Sequence, residues 1–220
     1  MIEDGIILID KPSGMTSFGV VARVKRVLSI GVGKKVKVGH TGTLDPFATG
    51  LMIIVVGNEC KNAEKYSKLD KVYEATICLG KTSTTGDIEG EITAVSDKVP
   101  EIDRIKNVFN KLTGEISQIP PNYSAIKIDG KRAYKMARAG EKFEISARNI
   151  TVFSLDLIDY KYPDLKIKTH VSSGTYIRTL AEDIGKMLDT GAYCTQLRRI
   201  SISKWDVNDA KSLSDMGILD

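Results

Sequence analysis

The chain has 220 residues, 42% of them hydrophobic, and its 32 Lys and Arg residues against 28 Asp and Glu residues give a formal net charge of +4. This composition is sufficient for a buried core. Neither an internal repeat nor a low-complexity tract is present, which excludes a repeat protein and favours one compact domain. The positive excess is modest for a nucleic-acid binder, so the distribution of basic residues matters more than their total.

Cysteine usage and hydropathy bear on the compartment. The three cysteines are odd in number, widely spaced and without a C-x-x-C pair, which disfavours a metal site and a disulfide framework. They are Cys60, Cys78 and Cys194. The chain begins with acidic Glu3 and Asp4 instead of a basic signal-peptide region, and its longest apolar run, Leu51 to Val56, is too short to span a bilayer. We therefore expect a soluble cytoplasmic protein that binds no membrane.

The first third of the chain predicts one helix and one buried strand. Thr16 or Ser17 is a typical N-cap for a helix that ends before Gly31 and has one apolar face, at Val21, Val24 and Leu28. The basic residues of this helix lie away from the apolar face, so we expect the basic side of the helix to contact solvent. The apolar run from Leu51 predicts a strand covered on both faces, in the middle of a sheet.

Four more elements follow along the chain. Residues 73–79 alternate between apolar and polar, which predicts a strand with Tyr73 at its start. Helical spacing predicts a helix at Ile102, Ile105, Phe109 and Leu112, ending at Gly114. Residues 165–171 alternate as a strand does, and a second helix follows Thr175. Arg178 is therefore expected near a strand-to-helix junction, where side chains often reach a cleft.

The segment from Gly39 to Gly50 is the most informative stretch, a loop rich in Gly and Thr directly before the buried strand. Asp45 precedes Pro46, and a proline restricts the residue before it to extended conformations, so the carboxylate has a defined direction. By pattern alone a turn aspartate that only accepts backbone hydrogen bonds is the commoner interpretation, and a nucleophile is the alternative.

Three other side chains are candidates with ordinary alternatives. His40 suits a stacking or hydrogen-bonding role, since the chain has two histidines in all and no spacing that nominates a metal site. Tyr73 is by default an amphipathic residue with a buried ring and a hydrated hydroxyl. Arg178 by default pairs locally, and its alternative role is to keep a catalytic carboxylate ionised through charge and hydrogen bonding.

Basic residues concentrate in two segments. The first extends from Pro120 to Arg148 and mixes Lys and Arg with aromatic residues, a composition that suits RNA as well as it suits a solvated helix face. The second follows the buried strand and consists of Lys61, Lys65, Lys68 and Lys71.

In this order, these segments closely resemble the TruB family of tRNA pseudouridine synthases over nearly the whole chain. The matching stretches are Asp10 to Ser17, Gly39 to Leu51, Lys71 to Glu74 with Leu79-Gly80, Pro120 to Arg138, Ser173 to Leu180, and Leu197-Arg198-Arg199. The loop that holds Asp45 is the most specific of them. The tail departs from the family pattern, with Ile200 in place of Thr and Ser203-Lys204-Trp205 in place of Gly-Pro-Phe.

The resemblance implies an α+β fold: a single mixed, largely antiparallel sheet flanked by helices, with an inserted RNA-clamping arm at about 121–149. Residues 1–220 would form a single catalytic domain, without the C-terminal RNA-binding domain of longer members. The implied reaction isomerises uridine 55 in the T-loop of tRNA to pseudouridine. In it the uracil leaves the ribose, rotates and rejoins through carbon 5, with no cofactor and no metal.

The resemblance also implies roles for individual residues. Asp45 would be the covalent or proton-abstracting catalyst, Tyr73 would stack on the base and take the carbon 5 proton, and Arg178 would pair with Asp45. His40 would brace the RNA loop from which the target base has flipped, and Leu197 would pack against that base. Further substrate contacts are expected from Lys11, Lys61 and Tyr176.

The expected partner is the T-arm stem-loop of tRNA, bound by a monomer without an obligate protein partner. Three other interpretations are open. A guide-RNA-dependent synthase shares the motifs but needs an added domain and partner proteins. A tRNA-folding or binding module with incidental activity would not require Asp45, Tyr73 and Arg178. An aspartate-dependent hydrolase would need a metal site or a second paired carboxylate, and the sequence indicates neither.

Overall fold

The structure is a computed structural model that describes residues 4–218. Part of the acidic start, at Glu3, therefore lies outside the described residues. The strands are β1 Gly5–Lys11, β2 Val38–His40, β3 Thr49–Val56, β4 Lys71–Leu79, β5 Lys81–Ser83, β6 Ile92–Ala94, β7 Gly114–Gln118, β8 Lys127–Ile128, β9 Lys131–Arg132, β10 Arg148–Lys161, β11 Asp164–Val171, β12 Ala192–Ile202 and β13 Trp205–Asp206. The helices are α1 Ser17–Val32, α2 Ala63–Ser67, α3 Ile102–Leu112, α4 Ala133–Arg138 and α5 Ile177–Met187. Short 3-10 helices cover Gly57–Asn62, Val207–Asp209 and Ser214–Met216.

Seven strands follow one another in a mixed sheet in the order β1-β3-β12-β4-β11-β10-β7, with β2 paired to β3 and β13 paired to β12. The chain divides into two compact units, each described separately below. Unit 1 contains the described residues up to Tyr73 and those from Arg198 onward, and unit 2 is Glu74–Leu197.

Unit 1 is built on β3. This strand pairs antiparallel with β1 and β2 and parallel with β12, where Arg198 lies opposite Thr49 and Arg199 opposite Gly50. Every residue from Gly50 to Val56 is buried. Alternate side chains of β3 form an apolar core with residues of β12 and of the segment that follows it: Leu51, Ile53, Val55, Ile202 and Val207. The predicted strand, buried on both faces, is confirmed.

Helix α1 packs on β2 through the predicted apolar face, because Val21, Val24 and Leu28 are buried. Thr16 is the N-cap, and its hydroxyl accepts a hydrogen bond from the Gly19 N–H at 3.0 Å. The predicted end before Gly31 is wrong. The helix continues to Val32 and ends where Gly33 adopts the left-handed conformation with φ 68°, which a glycine takes without steric cost.

Unit 2 is built on β10. Strand β10 pairs antiparallel with β11 on one side and with β7 on the other, and α3 packs against β10 and α5. The predicted strands and helices in this part are confirmed. Strand β4 differs in one respect, because Thr76 and Cys78 are buried as well as the apolar face. The α+β class with a mixed sheet is confirmed, and β8, β9 and α4 lie within the segment expected to be the arm.

No helix within the described residues is long and apolar enough to cross a membrane.

Candidate active site

In unit 1, Asp45 lies half-buried in the loop between β2 and β3, whose backbone is fixed on both sides of it. Before Asp45, the Leu44 N–H donates to Ser17 Oγ at 2.8 Å, and the Ser17 hydroxyl donates to the Leu44 carbonyl at 2.9 Å. After it, Ser13 Oγ donates to the Phe47 carbonyl at 3.0 Å. The Ala48 N–H donates to the Asp45 carbonyl itself at 3.1 Å. Because the loop is hydrogen-bonded at so many backbone atoms, the backbone that carries the Asp45 carboxylate has a fixed position.

Lys11 contributes a fully buried ammonium group to the same framework. Its Nζ donates to the carbonyls of Pro12 at 2.8 Å, Met15 at 2.7 Å and Pro46 at 3.1 Å. Its side chain is 0% exposed. A buried ammonium with three carbonyl acceptors is satisfied in place. Lys11 therefore holds the residue after Asp45 and does not present its charge at the surface, unlike the substrate contact we expected of it.

The other unit 1 candidates differ in exposure. Tyr73 lies in β4 with 8% of its surface exposed. Lys61 is exposed on the 3-10 helix Gly57–Asn62. His40 ends β2, half-buried, and burial followed by the charge of Arg199 lowers its pKa below the ordinary value. Its buried Nδ1 has no hydrogen-bond partner among the described residues. His40 is therefore a neutral imidazole at physiological pH.

In unit 2, Arg178 is fixed by contacts that the sequence did not predict. It lies in the first turn of α5, 3% exposed, and its Nη1 donates to the Thr85 carbonyl at 2.7 Å and to Asp87 Oδ2 at 3.1 Å. Its Nη2 donates to the Tyr123 carbonyl at 2.9 Å. Asp87 is 2% exposed, and its Oδ1 accepts from Thr85 Oγ1 at 2.6 Å and from the Glu89 N–H at 2.9 Å. The guanidinium thus has one orientation.

The packing around this pair is tight. Gly86 has φ +74°, and a β-carbon there would lie 2.6 Å from Glu182 Oε1. Burial raises the pKa of Glu182, although the charge of Arg178 acts in the opposite direction. A larger residue at position 86 would therefore displace the side chain one helical turn beyond Arg178.

Tyr176 and Leu197 are the remaining candidates in unit 2. Tyr176 is half-buried and precedes α5. Its N–H donates to Gln118 Oε1 at 2.8 Å, and Gln118 Nε2 donates to the Tyr176 carbonyl at 3.1 Å. This pair of hydrogen bonds from a buried glutamine sets the start of the helix that carries Arg178. Leu197 is 8% exposed in β12.

A family model described as TruB family pseudouridylate synthase (N terminal domain) matches residues 25–177. The chain belongs to this family. It is 43% identical over 218 residues to tRNA pseudouridine synthase B of Aromatoleum aromaticum, covering 99% of this chain and 69% of that protein. It is 42% identical over 214 residues to the protein of the same name from Aquifex aeolicus, covering 96% of this chain and 73% of that one.

Among solved structures, the chain is similar to one chain of a Cbf5-Nop10-Gar1 complex, with a TM-score of 0.74 and 28% identity. The match covers 97% of this chain and 53% of that chain, so the present chain spans about half of its length. A chain of an archaeal box H/ACA sRNP Nop10-Cbf5 complex is similar as well, with a TM-score of 0.71 and 27% identity over 98% of this chain and 53% of that one.

The structure thus places the TruB-type candidates in two sets. Within unit 1, Lys11 binds the loop that carries Asp45 at the Pro46 carbonyl, while Lys61 is exposed and Tyr73 is buried in β4. Within unit 2, Tyr176 and Arg178 stand two residues apart at the start of α5. The sequence analysis did not predict that three buried side chains hold these sets in place, namely Ser17, Asp87 and Gln118. Their partners lie 27, 91 and 58 residues away along the chain.

Within residues 4–218, no group of three or more His, Cys, Asp and Glu side chains could hold a metal ion.

Proposed function

We propose that the chain converts uridine to pseudouridine in tRNA, with Asp45 as the catalytic carboxylate. The TruB family membership supports the reaction class, and the curated relatives are named tRNA pseudouridine synthase B. The observation that carries the proposal is the Asp45 loop, whose backbone is bound by Ser17 on one side of the carboxylate and by Lys11 and Ser13 on the other.

The reaction is an isomerisation that needs no oxidant and no second substrate. The bond from ribose C1′ to uracil N1 breaks, the base rotates, and a bond forms from C1′ to carbon 5. Carbon 5 then loses a proton, and N1 gains one. Asp45 serves this chemistry either by attacking C1′ or by removing a proton from the sugar. Both routes require an ionised carboxylate in a fixed position, which costs less reorganisation on a rigid loop.

Tyr73 and Arg178 complete the proposed catalytic set. The role proposed for Arg178 is to keep the Asp45 carboxylate ionised, and its support is a buried guanidinium whose direction is set by Asp87, Thr85 and Tyr123. Tyr73, with its ring largely buried, is proposed to stack on the uracil and to accept the carbon 5 proton. Leu197 is proposed to contact the same base.

The proposed substrate is the T-arm stem-loop, with uridine 55 as the target. A base inside a folded loop must leave its stack to reach a catalytic carboxylate, and a neutral side chain that occupies the vacated space lowers the cost. His40, with its lowered pKa, suits that role. Exposed Lys61 and the basic segment at about 121–149 are proposed to contact phosphates, and Tyr176 the target nucleotide. The active form is proposed to be a monomer without a protein partner.

Tritium release tests the proposal. The purified chain, without guide RNA or any other protein, is incubated with a T-arm stem-loop labelled with tritium at carbon 5 of its uridines. We expect release from this substrate, no release when uridine 55 is replaced by cytidine, and no release by Asp45→Asn.

The alternatives give different results. Binding of the stem-loop without tritium release would replace the enzyme with a tRNA-binding module. Release that requires an added guide RNA would indicate a guide-dependent synthase. Release that persists in Asp45→Asn would remove the proposed catalyst while leaving the reaction in place.

A further inference from the structure

Arg199 in β12 has a guanidinium group buried beside the loop that carries Asp45. The residue is 1% exposed. Its Nε donates to the Leu51 carbonyl at 2.7 Å, and its Nη2 donates to the Gly42 carbonyl at 3.1 Å. Gly42 precedes Asp45 and Leu51 follows it, so one side chain joins the two ends of the loop.

The backbone geometry brings Arg199 close enough for both contacts. Arg199 lies opposite Gly50 in the parallel pairing of β12 with β3. Gly50 has φ +106°, and a β-carbon there would overlap the carbonyl oxygen of Arg199. A glycine at this position therefore allows the two strands to approach at the point where the loop ends.

Burying the positive charge of Arg199 is unfavourable, and this charge also affects the pKa values of neighbouring groups. Burial lowers the pKa values of His40 and Lys71, and the positive charge of Arg199 lowers both further. An apolar side chain at position 199 would avoid this repulsion and also the unfavourable transfer of a cation from water. Unlike an apolar side chain, arginine has a planar fork of donors that reaches two separate acceptors.

We propose that Arg199 is a positioning residue, which sets the direction of the Asp45 carboxylate by holding both ends of its loop. This inference rests on the proposed function for its catalytic consequence, although the effect on the loop does not depend on it. Arg199 contacts backbone carbonyls and acts on the reaction only through Asp45. A displacement of about 1 Å at a reacting group costs on the order of 100-fold in rate.

Two substitutions separate the effect of the two hydrogen bonds from Arg199 to the loop, here called the tie, from the effect of its charge. Arg199→Lys keeps a positive charge, but one ammonium on a shorter chain cannot span the acceptors that Nε and Nη2 hold. Arg199→Ala removes both the tie and the charge. The matched control is Ile202→Ala in the same strand, a fully buried core residue 1% exposed that belongs to the apolar cluster and not to the loop.

We expect Arg199→Lys to lower the single-turnover rate on the T-arm stem-loop by about 10- to 100-fold while the Kd for that RNA changes less than about 2-fold. We expect Ile202→Ala to lower the melting temperature and to leave the rate near that of the wild type. NMR titration of the two histidines should show a raised His40 pKa in Arg199→Ala and little change in Arg199→Lys. The His40 pKa thus measures the effect of the charge, and the single-turnover rate of Arg199→Lys measures the effect of the tie.

Amide hydrogen exchange measures how often the hydrogen bonds of the Asp45 loop open, and it does not require that the protein be active. The Leu44 and Ala48 N–H groups are bonded in the wild type. We expect both to exchange at least about 10-fold faster in Arg199→Lys and unchanged in Ile202→Ala. Unchanged exchange in Arg199→Lys would overturn the inference even if the wild type is active. Faster exchange with no wild-type turnover would uphold the tie and reject the proposed function. A full wild-type rate in Arg199→Lys would remove any catalytic consequence.

Discussion

Asp87 Oδ2 accepts a hydrogen bond from Arg178 Nη1 at 3.1 Å, and both side chains are almost completely buried. Two other donors, Thr85 Oγ1 and the Glu89 N–H, occupy the second carboxylate oxygen. The pair therefore connects the segment after β5 to the first turn of α5 and fixes the guanidinium that we propose acts in catalysis. A mispositioned guanidinium would reduce the rate without changing which RNA is bound.

Asp87→Asn is predicted to lower both stability and turnover. Removing the charge of Asp87 breaks a buried ion pair, and such a change costs about 3 kcal/mol or more. We expect the turnover number to fall at least about 10-fold with little change in RNA affinity. Urea denaturation and single-turnover kinetics measure the two effects.

Asp189→Asn is the matched control for Asp87. Asp189 also binds an arginine, Arg104, and in addition Lys98 at 3.3 Å, but its side chain is 67% exposed. Exposed ion pairs contribute little to stability, so this variant should unfold and react as the wild type does. Equal losses in the two variants would contradict the special role given to the buried pair.

Lys11→Met and Lys61→Met should affect different steps. Lys11 is fully buried with three carbonyl acceptors, so its loss should disturb the Asp45 loop and lower turnover while the salt dependence of RNA binding stays constant. Lys61 is exposed, so its loss should weaken binding and reduce the slope of log K against log salt by about 0.7. Filter binding at several salt concentrations distinguishes them. A reduced slope in Lys11→Met would restore the substrate contact that the sequence suggested.

The sequence predicted local features well, because their determinants are local. The N-cap at Thr16, the apolar face of α1 and the buried strand at residues 51–56 depend on neighbours within a few residues. The end of α1 was misplaced because Gly31 and Gly33 both suit a helix end, and it is Gly33 that adopts positive φ.

The site shows the converse. The family pattern led us to propose Asp45 and Arg178 as site residues, whereas it did not predict the side chains that hold them in place. Arg199 binds carbonyls 148 and 157 residues away along the chain, and Asp87 binds Arg178 at a separation of 91. A carbonyl acceptor has no signature in the sequence, since every residue carries one. Such partners become visible only when the fold brings them together.

Stability at alkaline pH should depend on Lys71. Burial, followed by the charge of Arg199, lowers the pKa of Lys71 from its ordinary value of 10.5 to about 8. Below pH 8 the lysine is protonated in the native and unfolded chains, so the cost of burying the charge is constant. Between pH 8 and 10.5 the unfolded chain holds a proton that the native protein has released, so native stability rises with pH in this window.

The comparison with Lys71→Met isolates that contribution, because other titrating groups affect both proteins alike. The free energy of unfolding of the wild type, relative to Lys71→Met, should increase by about 2 to 3 kcal/mol from pH 7 to pH 10. Urea denaturation at the two pH values measures it. A difference that stays constant would mean that Lys71 titrates near its ordinary pKa in the folded protein.

Gly50→Ala should be one of the most damaging small substitutions in unit 1. Gly5 and Gly50 both have positive φ, +124° and +106°, and lie in paired strands. A β-carbon at Gly5 meets nothing within 4 Å, whereas one at Gly50 would overlap the backbone of Arg199. Gly5→Ala therefore incurs the backbone strain alone, on the order of 1–3 kcal/mol. Gly50→Ala adds the displacement of β12 from β3, about 2 kcal/mol more.

Gly50→Ala should also separate Arg199 from Gly42 and Leu51. Its single-turnover rate should therefore fall as that of Arg199→Lys does, while Gly5→Ala keeps the wild-type rate. Equal stability losses in the two glycine variants would show that the strands separate at no cost.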